Sequence, residues 1–272
     1  MDRRIGGAHP ASRSRGAVSA ILGRLRNLTL LVVMLALWQF TSVYVLSETT
    51  RVLLPSPIAI FKAAGELIAS GDLLRNTLAS LRREFMAFLY ASVAIPLGLA
   101  MGWWKPFNNQ VDPLMEILRP IPPLAWIPLS ILWFGIGDTQ NEFIIFLGIF
   151  FPILLNTVTG VKSIDNSLIR AGRSLGANQS AMLRRIVFMA ALPQIVTGVR
   201  VGLGIGWMAL VAAELVGASS GLGFLINDAR TTLRTDYIIV GMLTIGIVGL
   251  LIDFGIRSSM RWLLPWSQAM AK

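Results

Sequence analysis

The sequence predicts an all-α, polytopic transmembrane helical bundle of six spans with both ends of the chain on the cytoplasmic side. Three observations predict it. Hydrophobic residues fill 54% of the 272 positions and charged residues only 14%, against roughly 25% charged in soluble domains, and mean hydropathy is +0.67. The apolar residues fall in nearly uncharged runs of about the length that crosses a ~30 Å hydrocarbon core. The Lys and Arg residues behind the net charge of +10 gather between these runs, on alternate sides, as topogenic charge does.

In order along the chain, a basic tail over 1–27 carries Arg3, Arg4, Arg13, Arg15, Arg24 and Arg26 and is expected to be cytoplasmic. The first span, 28–46, holds 19 uncharged residues. It is longer than a signal-peptide core and no small-x-small cleavage site follows it, so it reads as a retained anchor. The segment 55–83 sets Phe61, Ala64, Leu67 and Ile68 against Lys62, Glu66 and Asp72, the pattern of an amphipathic helix on the outer surface.

The second span, 85–104, is interrupted by Pro96, and the third, 120–137, carries Pro120, Pro122, Pro123 and Pro128. The fourth covers 143–161, the fifth 194–216 with Arg200 and Glu214 toward its ends, and the sixth 237–256 with Asp253. The transmembrane domain is thus 28–257, followed by a cytoplasmic tail over 258–272. Lys162, Arg170, Arg173, Arg184 and Arg185 mark the inside. On the opposite side, Arg51, Lys62, Arg75, Arg230 and Arg234 are offset by Glu48, Glu66, Asp72, Asp228 and Asp236.

Several function classes are excluded by what the chain lacks. It has no cysteine, and its single histidine is His9 in the tail, which leaves little for a metal site, thiol chemistry or histidine catalysis. None of Lys62, Lys105, Lys162 and Lys272 is preceded by glycine, so there is no phosphate-binding loop. Neither paired catalytic carboxylates nor a nucleophile elbow occurs. The sequence pI is 11.1, but no basic stripe interleaved with aromatics is present, so the partner of the charge is the lipid bilayer and not nucleic acid.

Four features carry the mechanistic reading. The inside loop 163–193 holds one helical stretch that ends at Gly176 as its cap and a second over 178–191 that stops at Pro193. This helix–turn–helix knob, rimmed with arginines, has the form to dock on a cytosolic partner; the plainer alternative is a loop whose arginines set topology. Pro122 and Pro123 break the third span, as helices lining a substrate path are often broken, or else impose a fixed kink; Trp126 beside them packs or lines that path. Gly198, Gly202 and Gly206, four residues apart, allow another helix to approach closely. Glu214 either faces the path or pairs with an arginine.

The residues of the loop carry a resemblance. Arg170-Ala171-Gly172-Arg173-Ser174-Leu175-Gly176, then nine residues, then Ile186, with Ala190-Ala191-Leu192-Pro193 beyond, resembles the coupling signature of binding-protein-dependent ATP-binding cassette permeases. Leu54-Pro55-Ser56-Pro57, the proline-rich run from Leu118 through Leu129, Trp133-Phe134-Gly135-Ile136-Gly137 and Leu210 through Leu215 are similar to its nitrate, sulfonate and taurine branch. Thr235-Asp236 and Leu264-Pro265-Trp266 are most similar to taurine permeases.

The resemblance implies a MetI-like permease fold in a bacterial inner membrane, acting as a homodimer with two cytosolic ATPases and a periplasmic substrate-binding protein. It implies no cofactor in this chain, ATP and Mg being held by the ATPase. The implied cargo is taurine or another aliphatic sulfonate, with nitrate, bicarbonate or an aromatic acid as the alternative. It places ATPase coupling on Arg170, Ala171, Gly172, Gly176 and Ile186, and reception of the binding protein on 219–236. The chain departs from the signature where Arg170 replaces an acidic residue, Gly172 an alanine, and Phe188-Met189 a Leu-Pro pair. A stand-alone secondary transporter is the rival class; it ordinarily shows an internal repeat, and none is detected.

Overall fold

Caps, prolines and a few left-handed glycines decide where each helix starts and stops. The computed structural model describes residues 29–263, and every regular element among them is helical. The expected tail 1–27 and most of 258–272 lie outside the described residues.

The first apolar segment is α1 (Thr29–Val45), which widens into π-helix over Thr41–Val45. There the Ser42 hydroxyl donates to the Leu54 carbonyl at 2.8 Å and Arg51 reaches the Val43 carbonyl, folding α2 (Glu48–Leu53) back onto α1. Next, α3 (Pro57–Ala69) opens with Ser56, whose Oγ accepts from the Ala59 N–H at 3.3 Å, and with Pro57 in the first turn. It buries Ile60, Ala63 and Leu67 against Leu225 and Val240.

The surface helix expected over 55–83 is cut at Gly71, which sits at φ +77° and allows the turn that L-residues resist. From Asp72 the chain already belongs to a 32-residue rod, α4 (Asp72–Ala91) and α5 (Ala94–Trp103). Sequence pattern misled here because α4 is amphipathic inside out. Asn76, Ser80, Arg83, Glu84, Ala87 and Ala91 face the bundle while Leu74, Leu78, Phe85 and Leu89 are exposed. In lipid a polar stripe must be buried in protein, so the rule read for water is reversed. The junction at Ser92–Val93 is where Pro96, in the first turn of α5, has no N–H to return.

The third expected span is two helices. α6 (Lys105–Leu118) and the pair formed by a 3₁₀ turn (Pro123–Trp126) and α7 (Ile127–Phe134) meet at 81°. α8 (Asp138–Lys162) is the central column: Ile144, Ile145, Ile149, Ile153 and Leu154 have no exposed surface. Next in the chain come α9 (Asn166–Ser174), α10 (Gln179–Ala181), a π-helical stretch (Met182–Val187) and α11 (Phe188–Gly217). The helix expected to stop at Pro193 does not stop. The chain from Gln179 to Gly217 is one 39-residue rod with Pro193 inside it, the missing N–H costing a single rung. Then α12 (Leu222–Thr231) and α13 (Thr235–Leu263) complete the bundle.

By length and composition, four helices cross singly, Asp72–Trp103, Asp138–Lys162, Gln179–Gly217 and Thr235–Ser259, and the bent pair makes a fifth. The expected count of six is not reached among the described residues: α1, with 17 described residues or ~26 Å, is shorter than these spans.

Lipid supplies no hydrophobic drive for helix association, so close backbone approach carries it. A methyl group at Gly98 would lie 2.7 Å from Thr157 Cβ, and one at Gly102 2.5 Å from Val161 Cβ, which fixes α5 on α8. On the other flank of α8, methyl groups at Gly198, Gly202 and Gly206 would lie 2.8 Å from Asn156 Cβ, 2.9 Å from the Ile149 carbonyl and 2.5 Å from Ile149 Cγ1. The glycine stripe of the fifth span thus packs within the protomer. α13 leans on this core through the Trp207 indole N–H, which donates to the Ile245 carbonyl at 3.2 Å, and through Arg200 Nε, 2.7 Å from Asp253. Its Leu250, Leu251 and Phe254 face outward.

Candidate functional site: a helical knob, a buried polar lock and a cavity at the helix break

The knob is built by local signals. Asp165 caps α9, its carboxylate accepting from the Ser167 N–H at 2.8 Å, and Asn178 caps α10 by accepting from Ala181 N–H at 2.8 Å. Between them Gly176 takes φ +77°, its N–H donates to the Arg173 carbonyl at 3.0 Å, and the Ala177 N–H donates to the Gly172 carbonyl at 3.0 Å. Those two bonds are a Schellman closure. Gly172 is buried because Ile186 and Met182 lie directly over it, Met182 Cε being 3.0 Å from where its methyl group would be.

Of the sequence-predicted coupling residues, the fold therefore brings Gly172 and Ile186 into contact and leaves Arg170, Ala171 and Gly176 on the surface. Sequence reasoning missed Leu168 and Leu175, which are 50% and 88% exposed on the same knob. Apolar side chains held out on a rigid, arginine-rimmed protrusion are the signal that would have found them.

At the opposite end of the bundle lies a buried ion-pair network. Glu214 is 1% exposed. Its carboxylate accepts from Arg83 Nη1 at 2.7 Å, Ser80 Oγ at 2.8 Å and the Gly223 N–H at 2.9 Å. Arg83, 2% exposed, also donates to Asp138 at 2.7 Å and to the Ser220 carbonyl and hydroxyl at 2.7 and 2.8 Å. Arg82 pairs with Asp138 from outside. Ser80 Oγ accepts from the Leu222 N–H at 2.9 Å and Asn76 from the Gly221 N–H at 2.8 Å, so the turn between α11 and α12 is pinned by α4.

Gly221 is at φ +114° with the Glu214 carboxylate against it, leaving no room for a side chain. Of the two roles open to Glu214, the protomer gives it the internal one, a partner for Arg83. Deeper on α4, Glu84 is buried with no hydrogen-bond partner for either oxygen, next to Gly206. A smaller clamp on the same face joins Arg234 to Glu66 at 3.0 Å and to Asp236 at 2.9 Å, with Tyr237 Oη also 2.9 Å from Glu66. These hydrogen bonds from Arg234 and then Tyr237 hold the Glu66 carboxyl below its usual range.

Midway between the two ends, a cavity of about 350 Å³ opens at the break between α6 and α7, against α8 and α11. Of the path residues expected from sequence, Pro123 lines it. Pro122 is exposed beside it. Trp126 packs instead in an aromatic cluster, 6.4 Å from the rings of Trp133 and Phe143, and Glu214 belongs to the outer lock. The cavity wall from α8, including Gly148, Phe151 and Asn156, was not expected. Among the described residues no cluster of three or more His, Cys, Asp or Glu side chains is placed to hold a metal.

Several apolar helices long enough to cross a bilayer, a capped helical knob and a cavity at a broken span are the architecture of an integral membrane transport protein. Residues 94–268 match the family described as binding-protein-dependent transport system inner membrane component, and the chain belongs to it. It is 44% identical over 81% of its length, and 84% of the relative's, to a putative ABC transporter permease of Methanocaldococcus jannaschii. It is 40% identical to the taurine transport system permease of Escherichia coli, over 87% of each chain. Against the bicarbonate transport system permease of Synechococcus elongatus the identity is 36%, over 85% and 86%.

The fold is similar to that of an inward-facing methionine ABC transporter chain, with a TM-score of 0.54 and 22% identity over 68% of this chain and 95% of that one. The importer-permease architecture and the nitrate, sulfonate and taurine branch expected from sequence are thereby established. The chain is a transporter subunit and not an enzyme.

Proposed function

We propose that this permease passes a small oxyanion, taurine or another aliphatic sulfonate first, across a bacterial inner membrane. The solute is delivered by a periplasmic binding protein to a homodimer of this chain, and two cytosolic ATPases, which hold the ATP and Mg, drive the cycle. The supporting observation is the 40% identity to a taurine permease over 87% of both chains, together with a structured knob on the arginine-rich face. Leu168 and Leu175 with Arg170 and Ala171 would enter a groove of the ATPase, while Gly176, Gly172 and Ile186 hold their shape. ATPase closure would then rock the protomers between inward- and outward-facing states. Bicarbonate, or nitrate, is the second reading, favoured by 36% identity to a bicarbonate permease.

The test is reconstitution in proteoliposomes with the cognate ATPase and binding protein, comparing ATP turnover and uptake for taurine, longer sulfonates, nitrate and bicarbonate. The expected result is ATP-dependent uptake that needs all three components, greatest for a sulfonate. Movement of solute by this chain alone, or no ATP-dependent uptake of any oxyanion, refutes the reading.

A further inference from the structure

Arg119 closes α6, its N–H donating to the Met115 carbonyl at 2.9 Å, immediately before the prolines at which the span bends by 81°. Its side chain lines the 350 Å³ cavity, whose other walls are apolar apart from Asn156: Pro123 at the break, Gly148 and Phe151 of α8, and Val201 of α11. Along α8 the lining runs from Leu147 to Asn156, so the cavity covers the middle of that helix and reaches to ~9 Å from its Lys162 end.

Two other arginines on the bundle helices are paired. Arg83 holds Glu214 and Asp138, and Arg200 holds Asp253. Arg119 has no carboxylate within ion-pair distance and no hydrogen-bond acceptor for its guanidinium among the described residues. Arg119 is exposed on the open rim of the cavity, where an arriving anion can reach its guanidinium. A guanidinium is the side chain best matched to a flat or tetrahedral oxyanion, which it holds with two parallel N–H bonds. Broken helices at mid-depth are where transporters build substrate sites, and ~350 Å³ is at the small end of ligand pockets, right for a solute of a few heavy atoms.

We infer that Arg119 is the anion-recognition residue of the translocation path, binding the sulfonate or carboxylate-like head of the solute in the cavity at the α6–α7 break. The Asn156 amide donates one N–H to the Pro152 carbonyl at 2.8 Å, and its oxygen is left as an acceptor for an amino group at the other end of a zwitterion. This rests on the oxyanion-importer reading and adds to it the residue that reads the charge.

The chain's lack of cysteine makes a direct test available. In the reconstituted complex, Val201→Cys on the cavity wall supplies the permease's one thiol. Its reaction rates with anionic sulfonatoethyl methanethiosulfonate and with the cationic trimethylammonium analogue are then compared. With Arg119 in place the anionic reagent is favoured, and Arg119→Gln lowers the anionic-to-cationic ratio about tenfold, the size of one charge acting through a partly wet site. In the cysteine-free protein, Arg119→Gln lowers taurine uptake at least about tenfold while binding-protein-stimulated ATP hydrolysis persists, and Arg119→Lys restores part of it.

Taurine delivered by the binding protein with ATP slows labelling of the cysteine by the anionic reagent, a readout that needs no Arg119 variant. An unchanged reagent ratio, unchanged uptake or absence of taurine protection overturns the inference. Failure of the wild-type complex to import any oxyanion refutes the importer reading instead, and the reagent ratio still reports whether Arg119 selects anions.

Discussion

Replacing Glu214 by alanine removes one half of a fully enclosed ion pair, and the structure sets the size of the effect. The Glu214 side chain has no exposed surface, and the partner left behind, Arg83, is 2% exposed. Arg83 keeps Asp138 and Ser220, so it is not wholly abandoned. However, Ser80 and the Gly223 N–H lose their acceptor at the same stroke. Breaking such a pair from one side costs about 3–5 kcal/mol, which is a 10²- to 10³-fold or larger shift in the folded fraction. For a chain of this size it lowers the melting temperature by about 6–20 °C.

The assay is thermal or SDS-titrated unfolding of the purified permease in nanodiscs, run as a cycle with Arg83→Met and the double variant. The double variant should recover at least about 1 kcal/mol relative to the sum of the singles, because it leaves no orphaned charge against Glu214. A loss below about 1 kcal/mol for Glu214→Ala, or strict additivity in the cycle, refutes the assignment of this network as the bundle's outer lock.

Three further outcomes are expected. Gly176→Leu forces a branched side chain into the φ +77° turn, at a cost of about 1–2 kcal/mol; uptake and co-purification of the ATPase should be lost while membrane insertion, read by protease accessibility, is spared. Gly202→Ala drives a methyl group to 2.9 Å from the Ile149 carbonyl, whereas Gly204 has open space. The first should lose about 1–3 kcal/mol in nanodisc unfolding and Gly204→Ala should gain up to about 1 kcal/mol. The Glu66 carboxyl, depressed in the fold by Arg234 and Tyr237, contributes stability above its unfolded value that is lost as pH falls through the lower folded one. Hydrogen exchange over residues 231–237 should therefore speed up on acidification below the ordinary carboxylate range, and Glu66→Gln should abolish that dependence.

The fold class was legible in the sequence because bilayer thickness imposes run length and because charge asymmetry imposes sidedness. The knob was legible for a different reason: Asn178 and Gly176 are local signals, obeyed whatever surrounds them. Two elements were misread on physical grounds. The segment 55–83 was expected as one surface helix, although Arg83, Ser80 and Asn76 of α4 are turned inward to meet α11 and α12. Pro193 looked like a stop, although tertiary packing against α8 carries the helix through it. Of the candidate path, only Pro123 was visible beforehand. Arg119 lies in the proline-rich run from Leu118 through Leu129, but its unpaired state follows from where the described carboxylates lie in three dimensions. Glu214 was open between two roles until its partner, 131 residues earlier in the chain, was located.

One continuous helix carries both ends of the machine. Measured from Gln179 to Gly217, its 39 residues reach ~58 Å, with the knob at its root and Glu214, clasped by Arg83, near its tip. On the coupling reading proposed above, no chain break separates the docking end of this rod from its Glu214 end. On that reading a twist applied at the knob reaches the Glu214 network along this one helix, softened at the π-helical stretch and at Pro193. Stiffening those two points should tighten the ratio of solute moved to nucleotide spent, and loosening them should let the ATPase idle.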